Sequence, residues 1–150
     1  MTEQPRVLII EDNDALRAMR FTILRHQPLG VDTCRTGAEA LEKVLTCDYA
    51  LILIDMDLPD GESETFLQDF HDNRPEATSF IIAVRDPQGS AYVDPKMVVA
   101  VLNKPLEIDT MAEVVRECAF LVPPPEEPLP CPPSESEIRS KLDRGSYLAN

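Results

Sequence analysis

Positive charge is scarce in this chain. Lys and Arg total 14 against 27 Asp and Glu, a formal net charge of -13. Such a surface repels the phosphates of nucleic acid and the headgroups of anionic membranes, so direct binding to either is not expected. Long apolar runs are also missing. No segment approaches the roughly 18 residues of a membrane-crossing helix, and no basic region followed by an apolar stretch marks a secretory leader. A cytoplasmic protein is the expectation. No internal repeat is visible. The four cysteines, Cys34, Cys47, Cys118 and Cys131, show no C-x-x-C spacing. Cys34, Cys47 and Cys118 lie in apolar or helical contexts and read as reduced core or near-core thiols. Cys131 lies in a polar, Pro-rich tail where it could react. His26 and His71 sit in helical stretches beside polar neighbours and read as surface residues, not metal ligands.

What is present suits one domain: 150 residues, 43% of them hydrophobic. Up to Leu121, short apolar runs alternate with amphipathic stretches. Strands are predicted at Val7–Ile10, Val31–Cys34, Tyr49–Ile54, Phe80–Val84 and Val98–Leu102. A helix capped by Asn13 or Asp14 carries Leu16, Met19, Ile23 and Leu24 at helical spacing. A second helix opens at Thr36 or Gly37 with Ala38, Leu41, Val44 and Leu45. Glu62–Asp72 turns Phe66, Leu67 and Phe70 inward, and Ile108–Phe120 turns Met111, Val114, Val115 and Cys118 inward. Between the fourth and fifth strands, Pro87, Gly89 and Pro95 leave room for only a short helix, around Ser90–Asp94. Strand–helix alternation with right-handed crossovers predicts an α/β doubly wound parallel sheet. Ligands of such sheets bind beyond the C-terminal strand ends.

The chemistry falls at those ends. Glu11 and Asp12 end the first strand, Asp55 ends the third, and Lys104 follows the fifth. Parallel strands gather these three carboxylates and one ammonium at one sheet edge, an arrangement suited to a divalent cation and a phosphoryl group. A metal-dependent phosphatase would need a substrate-binding cap, and none is evident.

Three pieces in order, Ile9-Ile10-Glu11-Asp12-Asn13, Leu53-Ile54-Asp55-Met56-Asp57-Leu58-Pro59-Asp60-Gly61 and Leu102-Asn103-Lys104-Pro105, resemble the receiver domain of two-component response regulators. The likeness covers roughly residues 5 to 121. It implies a five-stranded, flavodoxin-like sheet of order 2-1-3-4-5, with the fourth helix shortened here. It implies Asp55 as phosphoacceptor, with Glu11, Asp12, Asp55 and the backbone carbonyl of Asp57 holding Mg²⁺. Lys104 would contact the phosphoryl oxygens, and Pro105 is expected to be cis, as in the family. Pro59 belongs to the tight turn after Asp55. Phosphoryl donors would be a histidine kinase or a phosphotransfer protein. Enzymic activity would extend at most to self-phosphorylation and self-dephosphorylation at Asp55.

Four departures fall in one half of that pattern. Arg85 stands where the family carries a Ser or Thr whose hydroxyl bonds the phosphoryl group. It could reach the phosphoryl oxygens, pair with Asp55 or Asp57, or point to solvent. Asp86 adds negative charge near the site entrance, where the family residue is small. Val101 replaces an aromatic switch residue three positions before the lysine. The proline-broken crossover disrupts the usual dimer and output face. Two functions remain open: a phosphorylated receiver with output by protein contact or through an output domain outside this sequence, and a phosphate-independent pseudo-receiver serving as an interaction or scaffolding module. The expected organisation is a receiver domain over 1–122, a polyproline-like linker over 123–133 and a tail over 134–150, disordered or forming a short docking helix.

Overall fold

The computed structural model describes residues 4–148. The first three residues of the expected receiver domain and the last two of the expected tail lie outside them. The strands are β1 (Arg6–Ile10), β2 (Gly30–Cys34), β3 (Leu51–Asp55), β4 (Phe80–Arg85) and β5 (Ala100–Asn103). The helices are α1 (Asp14–Leu24), α2 (Gly37–Thr46), α3 (Glu62–Asn73), α4 (Ile108–Leu121) and α5 (Glu135–Leu148), and a 3₁₀ turn spans Pro59–Gly61. All strand pairs are parallel, in the order β2-β1-β3-β4-β5.

The two-residue period of a strand explains the near-continuous apolar runs. Leu8, Ile10, Ile52, Ile54, Ile81 and Ala83 point to one face, where Ala40 and Val44 of α2 and Phe66, Leu67 and Phe70 of α3 cover them. Val7, Ile9, Leu51, Leu53, Ile82 and Val84 point to the other, under Leu24 of α1 and Met111, Val115 and Ala119 of α4. With both faces covered, the middle positions of the central strands β1, β3 and β4 take apolar side chains.

Several helix faces differ from the periodicity reading. On α1, the wholly buried side chains are Arg20 and Leu24, whereas Leu16, Met19 and Ile23 are only partly covered. On α2, Leu45 is exposed and Ala40 takes the inner position. On α4, Ala119 is buried while Val114 and Cys118 are partly so.

No helix forms between β4 and β5, which corrects the expected short helix around Ser90–Asp94. Residues 86–99 instead make local turns, Gly89 N–H to the Asp86 carbonyl (2.9 Å) and Met97 N–H to the Asp94 carbonyl (3.0 Å). Pro87 and Pro95 remove two donors, and Pro95 pushes Asp94 toward extended backbone. Val93 is buried by this loop, with Ala91, Met97 and Val98 packed beside it on the α2–α3 side.

The C-terminal segment is docked. Residues 123–133 carry no regular structure and run along the N-terminal ends of the strands. Thr78, ahead of β4, bonds the Pro123 carbonyl, and the Leu129 N–H reaches Asp48, ahead of β3, at 2.7 Å. Arg6, opening β1, bonds the Pro132 carbonyl. This path brings Cys131 to Cys47, Cα to Cα 4.8 Å, and the two form a disulfide. Cys47 is therefore not the reduced thiol expected, because chain 84 residues away closes onto it. Helix α5 then packs on β2. The Ser136 hydroxyl accepts from the Val31 N–H (2.8 Å), and the Glu135 carboxylate accepts from the Thr33 N–H (2.7 Å). Buried Asp32 anchors the joint, accepting from the Glu135 N–H (2.8 Å), the Tyr49 hydroxyl (2.7 Å) and Arg6 (2.8 Å). The strap follows the N-terminal strand ends, and the first turn of α5 meets β2 from Val31 to Thr33.

Candidate functional site

Three strand ends and two turns build the site. β1 delivers Glu11, which is fully buried, and the loop after it delivers Asp12, which is exposed. Asn13 holds that loop in place: its side chain caps α1 by accepting from the Leu16 N–H at 2.9 Å. Its own N–H reaches Glu11 Oε2 at 3.3 Å. Arg17 steadies the loop through the Glu11 carbonyl (3.0 Å). β3 delivers Asp55, 3% exposed. The turn after it is set by Pro59, by Asp60 at φ 58° and by Gly61 at φ 68°. The left-handed region costs a non-glycine residue about 1 kcal/mol, which Gly61 avoids. The buried Ser63 hydroxyl bonds the Asp55 carbonyl and locks the strand end to α3.

One oxygen each from Glu11, Asp12 and Asp55 lie within 4.8 Å of one another. Octahedral coordination at 2.0–2.1 Å places ligands about 3 Å apart when adjacent and about 4 Å apart when opposite. Three hard carboxylate oxygens gathered in one cluster suit Mg²⁺, which favours a few protein oxygens and keeps several waters. Opposite them, Lys104 Nζ lies 3.0 and 3.1 Å from the two Asp55 oxygens and 2.9 Å from Asp57 Oδ2. β5 positions it: the Lys104 N–H bonds the Arg85 carbonyl at 2.8 Å, and the Lys104–Pro105 peptide is cis.

The charges bias one another. Burial pushes the Glu11 carboxyl up to about 7, and the Asp55 carboxylate beside it adds to the rise, against the pull of Arg20. Burial alone would also raise Asp55, but hydrogen bonds from Glu11, the Asp57 N–H and Lys104 outweigh it and hold Asp55 below the usual carboxylate range. Burial would lower the Lys104 ammonium, but Asp57 and Asp55 hold it above its ordinary value. A nucleophile kept ionised beside a fixed cation is the state phosphoryl transfer requires.

The remaining candidates fall in unexpected places. The Asp57 side chain turns into the site, binding Lys104 and accepting from the Asp86 N–H at 2.8 Å, while its own N–H donates to Asp55 Oδ1 at 2.8 Å. Among the described residues, Arg85 makes no ion pair with Asp55 or Asp57, and its buried Nε has no hydrogen-bond partner. Lys104 occupies the place that pairing would have taken. The Asp86 carboxylate accepts from the Gln88 N–H (2.9 Å), so it serves its own turn. Val101 is 39% exposed on edge strand β5.

The residue reading missed Ser63 and Arg20. Arg20 Nη1 lies 3.0 Å from Glu11 Oε1, with both side chains almost wholly buried. Its signal was an arginine four positions before Leu24, on the same helix face.

Known proteins share this arrangement. Residues 7–116 match the model of the response regulator receiver domain. Transcriptional regulatory protein CutR of Streptomyces coelicolor is 41% identical over 54 residues, 36% of this chain and 25% of that protein. Transcriptional regulatory protein PmrA of Pectobacterium parmentieri is 27% identical over 81 residues, 54% of this chain and 36% of that protein. The chain thus spans only 25% and 36% of these two relatives. A CheY-like receiver from Methanospirillum hungatei superposes with TM-score 0.65 at 25% identity, covering 79% of this chain and 95% of that one. A signal receiver domain from Vibrio parahaemolyticus gives 0.67 at 21% identity, covering 95% of this chain and 97% of that one. Response regulator TrrA of Thermotoga maritima, crystallised with Mg²⁺ and BeF, gives 0.66 at 20% identity over 77% of this chain and 99% of that one. Sheet order, acidic cluster and facing lysine agree with the family match over residues 7–116, and the chain belongs to the response regulator receiver domains of two-component signalling.

Proposed function

We propose that this protein is a cytoplasmic receiver that takes a phosphoryl group on Asp55 from a phosphohistidine of a histidine kinase or phosphotransfer protein. Output would pass by protein contact or through an output domain outside this sequence. The observation that carries the reading is Lys104 held against Asp55, across from the Glu11–Asp12–Asp55 cluster. Glu11, Asp12 and Asp55, with the Asp57 carbonyl, would hold Mg²⁺. Bound there, Mg²⁺ supplies charge that offsets the approach of one anion to another. An Asp55 oxygen attacks phosphorus as the phosphorus–nitrogen bond breaks, and the electron pair leaves with the donor imidazole. Lys104 can exchange its bond to Asp57 for a phosphoryl oxygen while keeping its bond to Asp55, because an ammonium has three donors on a flexible stem. Arg85, whose Nε lacks a partner, is the group left to meet a further phosphoryl oxygen in place of a hydroxyl.

Beryllofluoride, an analogue of the bound phosphoryl group, tests the reading. With Mg²⁺ it should bind the wild type and not Asp55→Asn, and amide NMR should show the change. Equal binding to both proteins removes Asp55 as the acceptor.

A second reading has its own support. Lys104 is already closed on Asp55 and Asp57, no hydroxyl ends β4, and the β4–β5 crossover has no helix. A phosphate-independent interaction module fits those features. A folded wild type that binds neither Mg²⁺ nor beryllofluoride would favour it.

A further inference from the structure

Of the two buried residues of α1, Arg20 and Leu24, Arg20 is the charged one. Its side chain is 4% exposed and sits against Glu11, whose side chain is 0% exposed. The contact is one of charge: Nη1 and Oε1 approach to 3.0 Å, yet neither atom has a hydrogen-bond partner in good geometry. A guanidinium is never neutral in a protein, so a fixed positive charge stands beside a ligand of the metal cluster. Such a pair adds little net stability, because desolvating both ions offsets their attraction. Its effect on a third charge is larger. Glu11 belongs to the cluster with Asp12 and Asp55, and Arg20 sits against its Oε1, so a cation drawing on that oxygen meets Arg20 as a competitor. Arg20 also lines a cavity of about 190 Å³ with Leu16, Met19, Lys104, Pro105 and Met111. That space can take a guanidinium displaced from Glu11.

We propose that Arg20 is a resident counter-cation of the metal site. It neutralises Glu11 when no metal is bound, and a divalent cation must displace it to gain Glu11 Oε1. Arg20 is a positioning residue that weakens Mg²⁺ binding by competing for one ligand. Because arginine does not deprotonate, raising the pH cannot remove this competition. The inference rests on the reading of Glu11 as a metal ligand.

The test is a Mg²⁺ titration of the full chain, wild type, Arg20→Met and Arg20→Lys, followed by calorimetry and by the Mg²⁺-induced rise in Tm. Arg20→Met should bind Mg²⁺ about tenfold tighter or more and show the larger rise in Tm, because Glu11 loses the buried cation beside it. Arg20→Lys, keeping the charge, should stay within about threefold of wild type. A wild type that binds Mg²⁺, with Arg20→Met binding no tighter, overturns the role of Arg20 and leaves the metal site standing. No binding in either protein overturns both. Should Arg20→Met fail to fold, the ¹⁵N guanidinium resonance of Arg20 in the wild type decides. It should move along the same curve as Mg²⁺ occupancy, and a stationary signal through saturation rejects the proposal.

Discussion

Lys104 is the residue on which the site's electrostatics turn. It balances Asp55 and Asp57 at about 3 Å each, so its loss leaves two neighbouring carboxylates without their shared cation. Lys104→Met should slow phosphorylation of Asp55 by on the order of 10²-fold, the scale of losing one preorganised charge donor. Mg²⁺ affinity should not fall. Phosphorylation kinetics from a small-molecule donor at saturating Mg²⁺ separate the two effects. Arg85 makes the opposite kind of prediction. Its side chain has no ion pair among the described residues. Arg85→Thr removes a buried, unpartnered Nε and should therefore not lower stability in urea unfolding. It should also extend the beryllofluoride-induced amide shifts from the pocket into β5, since a hydroxyl can couple the phosphoryl group to the strand end.

At the scale of elements, two edges of the sheet are treated differently. β5 is left open, with Val99 and Val101 partly exposed beside a crossover that has no helix. β2 is covered: Glu135 and Ser136 of α5 satisfy N–H groups that an edge strand would otherwise offer to another chain. The cover should be measurable. Ser136→Ala leaves the Val31 N–H, whose bond is buried, without its acceptor and should cost about 1–2 kcal/mol. Hydrogen exchange should show lost protection at Val31 and Thr33 and little change in β3 at the centre of the sheet. Unchanged protection at Val31 would mean that α5 does not dock as described.

Across the whole molecule, the fold concentrates carboxylates at one end of the sheet, and pH should expose the strain. Glu11 ionises near 7 in the folded protein against 4.5 ordinarily. A raised folded value favours folding fully below the unfolded value, and that contribution is lost as pH rises through about 7. Metal-free protein should therefore lose stability between about pH 5 and about pH 8, with a slope of at most about 1.4 kcal/mol per pH unit for one proton. Asp55, held low, acts in the opposite sense, and its contribution is lost only in acid. Saturating Mg²⁺ takes the place of the proton on Glu11 and should flatten the decline. Urea midpoints across this range, with and without Mg²⁺, check the prediction.

The resemblance carried by three motifs supplied the sheet order, while the sequence by itself determined the alternation of strands and helices and the carboxylates at the strand ends. Those features follow from two-residue periodicity, from apolar runs that demand cover on both faces, and from the local motifs around Glu11, Asp55 and Lys104. Only the tertiary structure decided that Lys104 is shared with Asp57 and that Arg85 is not, because two carboxylates compete for one cation through space. Arg20 was hidden for a related reason: an arginine within a helix reads as surface until the helix is rotated onto the sheet. The helix-free crossover was half legible, since two prolines weaken a helix without saying what packs in its place. The docked tail was least legible of all. Its Pro-rich strap has no periodicity, and its hold on Asp32, Asp48 and Cys47 joins residues about eighty to one hundred positions apart.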